Sequence, residues 1–335
     1  VKTLKSFILL TVVSIGLIWL TATAWEAYRF WTSPISTTQK QAPVVVEIAE
    51  KQSVQSWINQ LAKQGLMPHP KWFAWLMRYE GLDKSLRVGE YRIDPRWTPS
   101  ELIEHLKNDP PVQYHYTLIP GTTFKEMWQA VRTLPNLVKT HDLTPERLKE
   151  ALAIKTSLEG QFLPETYAYQ KWGDSDVKLF RRMHQAMRKT LQEAWESRDK
   201  TIPLKTPYQA LILASIVEKE TGVAAERPMI AGVFMNRLRK KMRLQSDPTV
   251  IYGMGEAYDG NIRKRDLREK TVYNTYRING LPPTPICMPS KASIEAVCHP
   301  AKTSALYFVG TGAGKHVFSD TLKAHNRAVR RYQLK

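Results

Sequence analysis

Residues 215–222 read SIVEKETG, with two glutamates, Glu218 and Glu220, on either side of Lys219. The ten residues before Glu218, YQALILASIV, carry no charge. A carboxyl at the end of an apolar helix is a candidate proton donor, because withdrawal from water disfavours its ionised form and raises its pKa toward neutrality. At helical spacing the two glutamates lie about 200° apart around the axis, so they cannot share one cleft as an acid–base pair. Glu218 continues the face of Leu211 and Ser215. Two readings stay open for it: a general acid, or a helix-end carboxylate paired to a cation such as Arg277.

Two downstream stretches add polar chemistry: LQSDPTVIYG (244–253) and VYNTYRINGLPPTPI (272–286). The second combines three prolines with Tyr273, Asn274, Tyr276, Arg277, Asn279 and Gly280. Asn, Arg and Tyr side chains hydrogen-bond sugar hydroxyls and acetamido groups, and aromatic faces stack on pyranose rings. Ordered polar loops of this kind either bind a ligand or brace a neighbouring loop. GTGAGK (310–315) is not a phosphate loop, since that motif needs glycine at Val309 and a hydroxyl at His316; a hairpin turn between ALYFV and HVFS is expected. His316 and His325 lack the Ser or Cys context of nucleophilic catalysis. No CxxC or HExxH motif is present and the eight histidines are scattered, so no metal and no cofactor is expected.

The elements that must position these residues are legible from local signals. The glutamate-bearing helix starts at Thr206 as N-cap with Pro207 at the first helical position. Its residues 208–217 are apolar all round, which predicts a buried central helix. Residues 174–200 form an amphipathic helix with Val177, Phe180, Met183, Met187, Leu191 and Trp195 on one stripe. Nearer the N-terminus, VVVEIAE and VGEYRI read as strands around two helices, the first capped by Ser53 and closed at Gly65. TPSELIEHL carries a capping box, Thr98 with Glu101, and Pro99 at the first position.

Lys2 and Lys5 precede SFILLTVVSIGLIWLTATAW (6–25), twenty residues without a charge. At about 1.5 Å per residue these reach roughly 30 Å, a bilayer core. The flanking lysines place residues 1–5 in the cytoplasm and export the rest. ATA at 22–24 resembles a signal-peptide cleavage site, but the apolar run is long for one, so a retained anchor is expected. Residues 26–43 read as a linker, 44–112 as a small module and 113–335 as the larger domain. The formal net charge of +18 suggests an anionic partner; export argues against nucleic acid. Cys287 and Cys298 are spaced so that a disulfide is possible.

Together, LEGQFLPETYAY (158–169), ASIVEKETG, LQSDPTVIYG, YNTYRINGLPPTPIC and ALYFVGTGAGKHVFSDTLKAHN resemble, in that order, the YceG-like endolytic murein transglycosylases. Residues 44–93 resemble a LysM-like module, a fold associated with N-acetylglucosamine-containing glycans. The resemblance implies an α+β protein: a single transmembrane helix, a small LysM-like module, and a larger mixed α/β catalytic domain. It further implies a single-pass inner-membrane enzyme, its catalytic domain in the periplasm, acting on peptidoglycan beside synthases such as penicillin-binding proteins. The catalytic glutamate is expected at Glu218. Glu165, Ser246, Asp247, Thr249, Tyr252, Tyr273, Asn274, Tyr276, Arg277, Asn279 and Gly280 are expected to shape the saccharide cleft. Cys287 and Cys298 depart from the family pattern. A hydrolytic muramidase using Asp247 or Glu165 as second carboxylate, and a non-catalytic glycan-binding scaffold, are the alternatives.

Overall fold

In the computed structural model, residues 2–36, 42–82, 86–312 and 314–334 are described. The chain divides into two compact units: Val1–Tyr114 with Asn136–Val138 and Tyr169–Asp174, and His115–Pro135 with Lys139–Ala168 and Ser175–Lys335.

The first unit opens with helix α1 (Lys2–Thr32), of which Leu10–Thr32 is long and apolar enough to cross a membrane. The helix continues into the stretch expected to be linker, and Phe30 and Ile35 are buried in the unit's core. Residues 37–41 of that linker lie outside the described residues. There follow β1 (Val44–Ile48), α2 (Val54–Lys63), α3 (Pro70–Tyr79), β2 (Gly89–Ile93) and α4 (Pro99–Asn108). β1 and β2 pair antiparallel, Val44 opposite Ile93 and Val46 opposite Tyr91. Both forecast caps form: the Ser53 hydroxyl accepts from Ser56 N, and Thr98 makes a complete capping box with Glu101. Trp57, Ile58, Leu61, Phe73, Leu76, Met77 and Leu102 fill the core. The excursion at Tyr169–Asp174 is tied in by Lys171, whose amine donates to Glu47 and Glu90, both at 2.9 Å.

The second unit contains α5 (Phe124–Thr133), α6 (Pro145–Ala151), α7 (Asp176–Ser197), α8 (Pro207–Glu220), α9 (Arg227–Arg239), α10 (Asp247–Met254), α11 (Lys291–Cys298) and α12 (Leu322–Tyr332). Strand β3 (Gln113–Thr117) pairs with β4 (Thr166–Gln170), and β5 (Tyr307–Gly310) pairs antiparallel with β6 (His316–Ser319). The β5–β6 hairpin bears out the turn reading of GTGAGK; Ala313 lies outside the described residues.

In α8, the Thr206 hydroxyl accepts from Gln209 N and Pro207 opens the helix. Every residue from Ala210 to Val217 is buried. They pack with Met187 of α7, Ile230 and Phe234 of α9, and Ile294 and Val297 of α11. Full burial of each large aliphatic side chain stabilises by about 1.5–3 kcal/mol, so the position of α8, and of the glutamates ending it, is strongly determined. α9 approaches the chain beyond α11 closely, because a Cβ at Gly232 would stand 2.6 Å from Ala301 O.

Candidate active site

The two glutamates ending α8 have different surroundings. Glu218 is 5% exposed at its side chain, and its Oε2 accepts from three donors of the α11 N-terminus: Ser290 N (2.8 Å), Ser290 Oγ (2.5 Å) and Ser293 Oγ (2.6 Å). Its Oε1 faces Arg227 Nη2 at 3.4 Å. The partner cation is therefore Arg227 of α9, and Arg277 is exposed. Glu218 is a clamp between three helices, surrounded by donors.

Glu220, turned the other way, takes one hydrogen bond, from the Ser246 hydroxyl to Oε1. Its Oε2 has no hydrogen-bond partner among the described residues. Burial pushes its pKa up to about 7; the Ser246 bond opposes the rise, the Asp247 charge adds to it, and His316 and Arg237 counter it. Neutral and ionised forms are thus both accessible near neutral pH, which a group acting first as acid and then as base requires.

The loop that meets Glu220 is braced from beneath. Ser246 N donates to Thr275 Oγ1 (2.9 Å), and Thr249 Oγ1 donates to Ser246 O (2.7 Å). Arg237, buried in α9, donates to Leu244 O at 2.8 Å and Leu306 O at 2.6 Å. Tyr276 OH donates to Asp247 Oδ1 (2.6 Å), joining the two polar loops beside Glu220.

The expected cleft residues therefore separate. Ser246, Asp247 and Tyr276 gather around Glu220. Thr249 and Asn274 are buried braces; Asn274 Nδ2 donates to Glu269 O (2.7 Å) and Asp266 O (3.1 Å). Tyr252 and Tyr273 pack edge to face, their centroids 4.9 Å apart. Arg277 and Asn279 are exposed, and Gly280 takes a φ of 80° that favours glycine. Glu165 is exposed and makes no side-chain bond to this cluster. Cys287 and Cys298 are buried free thiols, and Cys287 Sγ lies 3.3 Å from Ser215 O, so the disulfide is absent.

Residues 46–331 match the YceG-like family. This chain belongs to that family. It is 29% identical over 329 residues to an endolytic murein transglycosylase of Bacillus subtilis (strain 168), covering 91% of this chain and 90% of that one. An endolytic murein transglycosylase of Streptococcus pneumoniae serotype 2 (strain D39) is 29% identical over 97% of this chain, which spans 65% of the longer relative. The crystal structure of a yceG-like protein, lmo1499, from Listeria monocytogenes superposes with a TM-score of 0.53 at 26% identity, covering 86% of this chain and 99% of that one.

In this YceG-like chain the structure adds functional candidates that the motifs did not single out. Glu159, within the quoted LEGQF, is buried and lines a cavity of about 430 Å³ with Phe124, Lys149 and Tyr252. Its oxygens accept from Phe124 N (2.9 Å) and Tyr252 OH (3.0 Å), and burial pushes its pKa up to about 7. The next residue, Gly160, has φ 77°, and a Cβ there would strike Pro285. His316 is held by Glu226, which accepts from its backbone N (2.9 Å) and pairs with Nδ1 (2.7 Å). Burial acts against the Glu226 charge, yet the His316 bonds keep its carboxyl below the usual range. Among the described residues, no group of three or more His, Cys, Asp or Glu side chains is placed to hold a metal ion.

Proposed function

We propose that this protein is an endolytic lytic transglycosylase that cleaves the bond between N-acetylmuramic acid and N-acetylglucosamine within nascent peptidoglycan, leaving 1,6-anhydromuramic ends and terminating strand elongation. The names carried by its relatives support the substrate and the reaction class. The observation that carries the residue assignment is Glu220: one oxygen held by Ser246, the other without a partner among the described residues, and a pKa of about 7. The family motif points to Glu218 as the acid; Glu220 is proposed in its place because both oxygens of Glu218 accept hydrogen bonds from α9 and α11.

Protonated Glu220 donates to the glycosidic oxygen as the bond to C1 of the muramic residue breaks. The acetamido group of that sugar supports the developing positive charge. Ionised Glu220 then accepts the proton of the C6 hydroxyl as that oxygen closes on C1, which restores the acid without consuming water. One carboxyl suffices, whereas hydrolysis by a carboxylate pair needs a second about 5–9.5 Å away. Asp247 is the neighbouring carboxylate, and one of its oxygens accepts from Tyr276.

The N-terminal helix α1 serves as a single-pass inner-membrane anchor, with the chain that follows it in the periplasm. The β–α–α–β order of the first unit is LysM-like and suits a glycan-contacting role. Synthases that extend glycan strands are the proposed partners. Mass spectrometry of digested sacculi tests the reading: anhydromuramic ends support it, reducing muramic ends identify a muramidase, and no release identifies a binding scaffold.

A further inference from the structure

The end of α1 is built into the first unit. Phe30, 3% exposed, lies against Trp72 of α3 and His69 just before it, with centroids 6.5 Å away in each case. Past the helix, Ile35 N donates to Trp97 O (2.7 Å) and Ser36 N to Pro95 O (3.2 Å). The apolar helix and the small module therefore share one core, and α3 is held directly beside the end of α1.

On α3, Phe73, Leu76 and Met77 face the core. The opposite side carries Trp75 and Tyr79, one turn apart, stacked with centroids 5.5 Å apart at 12°, and 54% and 75% exposed. Lys71 and Arg78 flank them and are also exposed. On α1, Trp25, Tyr28 and Trp31 are exposed within the last two turns of the helix. Tryptophan and tyrosine concentrate where hydrocarbon meets headgroups, and Lys and Arg beside them reach anionic phosphates.

We propose that the Trp75–Tyr79 face of α3 sits in the headgroup region of the same bilayer that α1 enters, so that the small module lies on the membrane surface. Lys71 and Arg78 contact anionic phospholipid phosphates. Two exposed aromatics in water would otherwise leave apolar surface uncovered on an element already fixed at the end of an apolar helix. The inference depends on the anchor reading of α1, and the two are separable by experiment.

The full chain, labelled with 5-fluorotryptophan, is placed in nanodiscs of phosphatidylethanolamine and phosphatidylglycerol and observed by fluorine NMR. Trp75→Phe and Trp19→Phe assign the two resonances by their loss. A doxyl-labelled lipid reports on contact with the bilayer, and a gadolinium chelate reports on contact with water. Broadening of both resonances by the lipid, with Trp75 spared by the chelate, is the expected result. A lipid-broadened Trp19 with a chelate-broadened Trp75 would overturn the surface contact and leave the anchor intact. A Trp19 untouched by the lipid would remove the anchor and this inference together. A Trp75 protected from both reagents would mean that protein covers the face, which also overturns the proposal.

Discussion

Ser246 occupies the N-cap position of α10, yet its hydroxyl is turned to Glu220 and caps nothing. A serine at this position ordinarily stabilises its helix by about 1 kcal/mol through a bond to the first turn. Here that donor holds one oxygen of the buried α8 carboxyl instead. The helix that would lose a cap is instead secured by Thr249 and Thr275 below the loop.

Replacing Ser246 with alanine should lower kcat on the order of tenfold, the worth of one charge-supporting hydrogen bond. Because the Ser246 bond lowers the Glu220 pKa, its loss should also move the alkaline limb of the rate profile to higher pH. A pH series on soluble muropeptide release from purified sacculi checks both effects.

The wild-type rate should fall as pH rises through about 7, where Glu220 loses the proton it donates. Stability should move in the same direction. Folded Glu220 keeps a proton that the unfolded chain, with the ordinary value of 4.5, has released, so its stabilising contribution is full below about 4.5 and lost as pH rises through about 7. His184, whose pKa burial lowers, acts oppositely. The test is therefore the difference between wild type and Glu220→Gln: Tm should decline less from pH 5 to 8 in the variant.

Glu159→Gln separates the two carboxyls that burial raises to about 7. The bonds from Phe124 N and Tyr252 OH make Glu159 a tie between the start of α5 and α10. The variant should retain the alkaline limb while unfolding at lower denaturant concentration, by about 1–2 kcal/mol. Disappearance of the limb in this variant would transfer the acid role to Glu159.

Glu218→Gln should behave as a stability variant. It weakens three hydrogen bonds from Ser290 and Ser293 and removes the charge opposite Arg227, which is 14% exposed at its side chain. A loss of about 1–3 kcal/mol is expected by urea unfolding, with anhydromuramic ends still produced by the folded fraction.

Local signals suffice where local physics decides. The caps at Ser53, Thr98 and Thr206 form as their side chains and neighbours require. Spacing also separated Glu218 from Glu220, since helical geometry alone turns them apart. It did not tell which one would be clamped: the clamp arrives from Ser290 and Ser293, more than seventy residues later. Likewise, residue types alone leave the polar loops open between binding a ligand and bracing a neighbour; Asn274 and Thr249 face inward and satisfy backbone and hydroxyl groups of the loops themselves. Lys171 had no sequence signal linking it to Glu47 and Glu90, because those partners meet it only in the fold.

The assignment of the acid is tested most directly by comparing Glu220→Gln with Glu218→Gln, both confirmed folded, for release of anhydromuramic-ended fragments from sacculi. The account predicts that Glu220→Gln loses roughly 100- to 10,000-fold in rate, the span attributable to general acid–base catalysis, while Glu218→Gln still cuts. Wild-type release by Glu220→Gln, or an inert but folded Glu218→Gln, would contradict it.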